Sequence, residues 1–209
     1  MSAYVPSRDE FWSACRAYEA NESRGPVYFT ALNRLMGGWG NAKEMAEAVG
    51  ILLRSWHGYF YHFGMFDPIL LETCIDGNMP ALNGIRERDI FSLEPADEGI
   101  IRKLFVDFAS SLRGGKPPKE SGVASAKALH LLAPSFLPLW DSDIAYRYGQ
   151  VTLWPGYVGF CWQMKEFATA VSSYVDSNDD RSLLKRIDEF NYAVFTKRWV
   201  SLLPTGVND

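Results

Sequence analysis

The stretch SGVASAKALHLLAPSFLPLWDSDIAYRYG, Ser121 to Gly149, decides how this chain is read. Ser121 is a helix N-cap residue type, and the small and apolar residues after it run at helical spacing. Pro134 and Pro138 end that helix and shape a turn. The turn delivers Asp141 to the start of a second, shorter helix that closes at Gly149. Reading outward, the same helical punctuation recurs. Ser7-Arg-Asp-Glu10 is a capping box for a helix near 8–20. Pro26 opens a second helix that stops at Gly37-Gly38. Asn41 with Glu44 caps a third, whose Met45, Val49, Leu52, Leu53 and Trp56 share one side. Asp67-Pro68 starts a short fourth. Residues 76–94, holding Gly77, Pro80 and Gly84, read as a long irregular connection. Pro95 begins a strong helix with apolar Ile100, Ile101, Leu104, Phe105 and Phe108, ended by Gly114-Gly115. Pro155 begins another, to about Val175. Ser177 or Asn178 caps the last, which runs to about Trp199. Alternating strand patterns of useful length are absent. The expected fold is all-α, one unit over residues 1–209.

Bulk composition bounds the function. Hydrophobic residues make up 47% and aromatics 14%, enough for a large core and too much for a disordered chain. No run of about 18 apolar residues exists, so no membrane span is expected. The N-terminus has early charges and no apolar h-region, so no secretory signal is read and a cytoplasmic location is expected. Cys15, Cys74 and Cys161 lie far apart and make neither a disulfide framework nor a metal-ligand spacing. They read as reduced thiols, and no metal or organic cofactor is expected. Net charge is −4, so binding to DNA requires concentrated positive groups or backbone amides at helix N-termini.

Residues 100–150 follow the order helix, Gly-rich hairpin, helix, turn, aspartate, helix. Gly122-Val123 ahead of a small-residue helix, then Pro138-Leu-Trp-Asp141-Ser-Asp-Ile144, resembles the helix-hairpin-helix DNA glycosylases. The segment about 110–150 would hold the hairpin and the catalytic aspartate. The resemblance covers about 30 residues, and the ordered pair of motifs is more specific than either half. It implies a glycosylase that takes a modified base out of duplex DNA and hydrolyses its N-glycosidic bond, leaving an abasic site. A fixed carboxylate beside C1′ stabilises the positive charge that builds on the sugar and orients the attacking water. Asp141 is the residue that matches. Bare amides at the hairpin would hold a phosphate, which places Ser121, Gly122, Val123, Ala124 and Ser125 at DNA, with Lys119 adding charge.

Two departures from the family pattern matter. The second hairpin glycine is Ala124. The catalytic lysine of the bifunctional members falls on Ala126, with Lys127 one residue later and so about 100° away around a helix. A monofunctional, water-using enzyme is therefore expected, with Lys127 a second catalytic or phosphate-binding group. The aromatic run Trp56 to Phe63 supplies candidates for a base pocket in Trp56, Tyr59 and His62, and Trp140 adjoins Asp141. One phage-defence branch of these enzymes removes α-glucosylated hydroxymethylcytosine from viral DNA, and an aromatic-lined pocket suits such a target. The expected partner is double-stranded DNA, including modified phage DNA, met by a monomer away from membranes.

Each assignment has a plainer rival. Asp141 alone is a good N-cap. His130 on an apolar helix reads as a packed, hydrogen-bonded histidine. Arg24 reads as part of a solvated loop. A non-enzymatic helical module that binds DNA or protein, or a small-molecule-binding bundle around the aromatic run, would carry the same features.

Overall fold

The computed structural model describes residues 5–58, 61–62, 67–115, 117–176 and 178–201. Tyr59 lies outside them. The described residues form nine α-helices and no strand, so the chain is all-α. The expected capping box forms: Ser7 Oγ accepts from the Glu10 amide at 3.3 Å, and the Ser7 amide donates to Glu10 Oε2 at 2.7 Å. It starts α1 (Arg8–Asn21), which buries Phe11, Ala14, Cys15 and Tyr18. Helices α2 (Gly25–Gly38) and α3 (Ala42–Trp56) pack on each other across the Trp39–Asn41 turn, with Asn41 Oδ1 capping α3.

Helix α4 (Pro68–Ile85) corrects the sequence reading, because it runs through Gly77, Pro80 and Gly84 instead of ending before them. The reason is its buried, mostly apolar stripe. Leu71, Ile75, Asn78, Leu82 and Ile85 recur at spacings of four and three and are buried. Burying such a face outweighs a glycine cost of about 1 kcal/mol at each site and one proline in the interior. Two 3₁₀ turns, Ile90–Ser92 and Pro95–Asp97, then lead into α5 (Glu98–Ser111).

Helix α6 (Gly122–Leu132) lies at the centre, with α2, α3 and α5 packed against it. Every residue from Val123 to Leu132 is buried. The chain reversal between α5 and α6 is at Gly114–Lys119, closed by two backbone hydrogen bonds of 3.0 and 2.8 Å. Gly115 takes a positive φ of 84° there. Gly122, expected in the hairpin, is already helical. It is needed for a different reason: a Cβ at this position would sit 2.0 Å from the Thr152 carbonyl oxygen.

Helices α7 (Ser142–Arg147), α8 (Trp154–Val171) and α9 (Leu183–Asn191) complete the fold. The last helix is capped by Ser182 rather than Asn178, and Ser177 lies outside the described residues. It is α-helical only to Asn191 and continues as a π-turn, Tyr192–Thr196. That turn packs on α7 and on α1, which brings the end of the chain over Asp141.

Candidate active site

A cavity of about 140 Å³ opens where α1, α3, α6, α9 and the π-turn converge. Lys127 and Asp141, expected to act together, both line it, as does Trp56. Lys127 is the one charged side chain on the buried face of α6, and its Nζ donates to the Trp56 carbonyl at the end of α3 over 2.6 Å. Burial pushes its pKa down to about 8, while the charges of Asp141 and Asp188 pull the other way. The neighbouring Ala126, which aligns with the family lysine, is fully buried in the core. The one-residue offset therefore leaves a lysine at the cavity.

Asp141 is both a cap and a cavity residue. Its Oδ1 accepts from the Ile144 amide at 2.9 Å, and its Oδ2 accepts from Thr196 Oγ1 at 2.7 Å. A helix N-terminus by itself favours the ionised form of a carboxyl group. Burial dominates instead and raises the carboxyl pKa, against those two hydrogen bonds and the Lys127 charge. The dipole of the six-residue α7 does not overcome the desolvation.

Several wall residues come from segments that sequence reading left aside. Arg24, expected in a solvated loop, grips Glu22 through two guanidinium nitrogens at 2.8 and 2.6 Å, and Tyr192 Oη at 2.7 Å. This pairing holds the Glu22 carboxyl down at about 2. Asp188, on α9, is 3% exposed. Its Oδ2 accepts from Lys185 Nζ at 2.8 Å. Lys185 is itself buried, with its ammonium 4.5, 5.4 and 5.2 Å from the ring centres of Tyr18, Tyr28 and Trp56. Its carboxylate neighbours hold the ammonium charged against the cost of burial. One signal for this wall was present in the sequence. Lys185, Arg186, Asp188 and Glu189 place opposite charges three and four residues apart on a short helix flanked by aromatics.

The remaining expected site residues lie elsewhere. Trp140 is fully buried in the core, its indole N–H bonded to the Gly122 carbonyl at 3.2 Å and its ring packed on Tyr157 and Phe160. It lies outside the cavity wall and anchors the turn. His62 is exposed and does not line the cavity. At the start of α6, Val123, Ala124 and Ser125 are buried. The Ala124 amide is already bonded to Ser121 Oγ at 3.1 Å, and the Ser125 hydroxyl to the Ser121 carbonyl at 3.0 Å. Ser121 Oγ also shares a hydrogen bond with His57 Nε2 at 3.0 Å. Burial and the Lys127 charge push the His57 pKa down to about 4, so this imidazole is neutral at pH 7. Lys119 stands exposed on the α5–α6 turn. His130 matches its plain reading: fully buried, it bonds the Leu137 carbonyl and the Tyr28 hydroxyl.

No family model, curated protein or solved structure matches this chain. No described helix is long and apolar enough to cross a membrane.

Proposed function

We propose that this chain is a DNA glycosylase that draws one base out of the duplex into the cavity and breaks its N-glycosidic bond. The observation that carries the reading is the pairing, in one cavity, of a buried lysine and a half-buried aspartate beside an indole. The volume suits the task, since a cavity of about 150 Å³ holds a six-membered aromatic ring. Trp56, stacked at 5.7 Å on Tyr28, offers a fixed aromatic wall to a base.

In this scheme Asp141 faces the sugar. As the bond to the base stretches, positive charge grows on C1′ and O4′, and the carboxylate stabilises it. The hydrogen bonds from Ile144 and Thr196 hold both carboxylate oxygens in place, so little reorganisation accompanies the charge development. Water attacks C1′, its proton passes to the carboxylate or to the departing base, and an abasic sugar remains. The amine of Lys127, with its pKa near 8, supports a second route. Neutral Nζ attacks C1′, the base leaves with a proton, and the ring-opened sugar is held as an imine on Lys127. Borohydride reduction traps that imine as a covalent adduct, and water attack leaves none. Phosphate contact falls to Lys119 and the exposed α5–α6 turn, because the Ala124 amide is already used.

The direct test is incubation with genomic DNAs of differing base modification, including phage DNA with glucosylated hydroxymethylcytosine, with mass spectrometry of the released bases. Release by the native chain and its loss in Asp141→Asn support the proposal. Release at the native rate by Asp141→Asn overturns the role of Asp141. Failure to release any base, with retained DNA binding, favours a non-enzymatic binding module.

A further inference from the structure

The chain leaves the cavity through two cations that the chemistry above does not use. Tyr192 and Thr196, in the π-turn, line the cavity, and the next residues are Lys197 and Arg198. Both are exposed, and neither forms an ion pair among the described residues. The Lys197 amide donates to the Tyr192 carbonyl at 2.9 Å, and the Trp199 amide to the Ala193 carbonyl at 2.8 Å. The second bond closes the turn around Arg198, in the manner of the left-handed residue, usually glycine, that ends many helices. Arg198 has a φ of 55° and is the only residue other than glycine at positive φ among those described. That conformation is costly for a residue with a Cβ and free of that cost for glycine. A strained residue at the end of a π-turn, next to a cavity, points to a function for its side chain.

We infer that Lys197 and Arg198, with Arg147 beside them, hold the backbone phosphates of the strand whose nucleotide enters the cavity. The inference rests on the glycosylase reading above and adds a second strand contact to that of Lys119. Lys197 Nζ lies 5.7 Å from the centre of the Tyr192 ring, whose hydroxyl accepts from Arg24. Arg147, exposed at the end of α7, lies 5.2 Å from the centre of the Phe195 ring on the same turn. A chain of net charge −4 has to concentrate its positive groups to bind a polyanion, and here three stand on or against one turn. The wall of the cavity has the opposite character, with the carboxyl groups of Glu22, Asp141 and Asp188 against the two cations Arg24 and Lys127. Such a wall disfavours a phosphate inside. Anion outside and uncharged group inside is the layout of one nucleotide in a strand, with its phosphate at the rim and its base and sugar within.

The test is binding of a fluorescent DNA duplex at a series of salt concentrations, from about 50 to 200 mM. Lys197→Ala and Arg198→Gly are each expected to lower the salt slope by about one charge, and the double variant by about two, equally on unrelated sequences. Arg198→Lys keeps the charge and is expected to keep the slope. Arg198→Gly relieves the left-handed strain, so it should melt at or above the native temperature while binding more weakly, which separates a lost contact from a lost structure. Lys43→Ala is the control, because Lys43 stands at the start of α3, about 20 Å along that helix from Trp56 at 1.5 Å per residue. Unchanged slopes in both Lys197→Ala and Arg198→Gly overturn the inference, as does an equal fall in Lys43→Ala. Displacement of the duplex by inorganic phosphate or a mononucleotide at matched ionic strength makes the ligand a free phosphate and overturns the strand contact. Base release that persists alongside any of these results leaves the glycosylase reading intact. Absence of both DNA binding at low salt and base release overturns both. Lys197→Ala decides the matter where Arg198→Gly fails to fold.

Discussion

The start and the middle of α6 carry opposite kinds of polar chemistry. At its start, Ser121, Ser125, His57 and the Ala124 amide satisfy one another, and Gly122 admits the Thr152 carbonyl. Five residues on, Lys127 faces a cavity in which an amine pKa has fallen, a carboxyl pKa has risen and one carboxylate oxygen is unpaired. The start is organised for stability and the middle at its expense. Shifted titrations and unpaired buried atoms of this kind mark candidate functional sites, whereas closed networks of short hydrogen bonds mark supports. The comparison moves the centre of the site from the hairpin to the convergence of α6, α9 and the π-turn.

The comparison breaks most directly at Asp141. Asp141→Asn is expected to slow base release about 10²–10⁴-fold, the usual cost of losing a catalytic carboxylate. It is also expected to melt no lower than the native protein at pH 7. With its folded pKa raised, Asp141 holds protons that the unfolded chain has lost, so its ionisation lowers stability as pH rises through that window. Asparagine keeps the cap and removes this penalty. A large drop in melting temperature with unchanged base release would make Asp141 a cap alone.

Lys127→Met comes next, with an expected loss of release of about 10²-fold and loss of any borohydride-trapped adduct. Native activity should climb between pH 7 and 9 as the amine deprotonates near 8, and the variant should lack this rise. Stability gives an independent readout. The unfolded lysine stays protonated between pH 8 and 10.5 while the folded one does not, so this residue makes stability increase with pH there. The full effect is roughly 3 kcal/mol. The melting temperature of the native protein relative to Lys127→Met should therefore rise from pH 7 to 9.

At the start of α6, Gly122→Ala sets a Cβ against the Thr152 carbonyl and is expected to cost about 1–3 kcal/mol of stability. Chemical denaturation checks it, and a smaller effect would show that the 151–153 backbone yields. The smallest expected effect is that of Lys119→Ala. It leaves stability within about 0.5 kcal/mol and lowers the salt dependence of DNA binding by about one charge. An unchanged salt slope would remove the α5–α6 turn from the DNA-facing surface.

Much of the secondary structure was legible because helix starts are local. Ser7, Asn41, Asp67, Ser121 and Asp141 all cap where their residue types place them. The misread regions are those where local punctuation competed with burial. Gly77, Pro80 and Gly84 lost to a buried stripe in α4, and Asn178 lost to Ser182 at the start of α9. Within the site, Asp141 and Lys127 were legible from their offsets, and Trp56 from its aromatic context. Trp140 misled because adjacency in sequence is not adjacency at a cavity. Its large ring gains more from the core than from the opening.

By itself, the sequence determined the helical class, most of the helix starts and a lysine and aspartate 14 positions apart, because caps and periodic stripes act over a few residues. Tertiary structure alone decided that both open into one cavity. It alone set Thr196 on an aspartate 55 residues away and Arg24 on a tyrosine 168 residues away. It also raised one proton affinity while lowering another. Desolvation and long-range pairing exist only once the chain has closed on itself, so no local pattern encodes them.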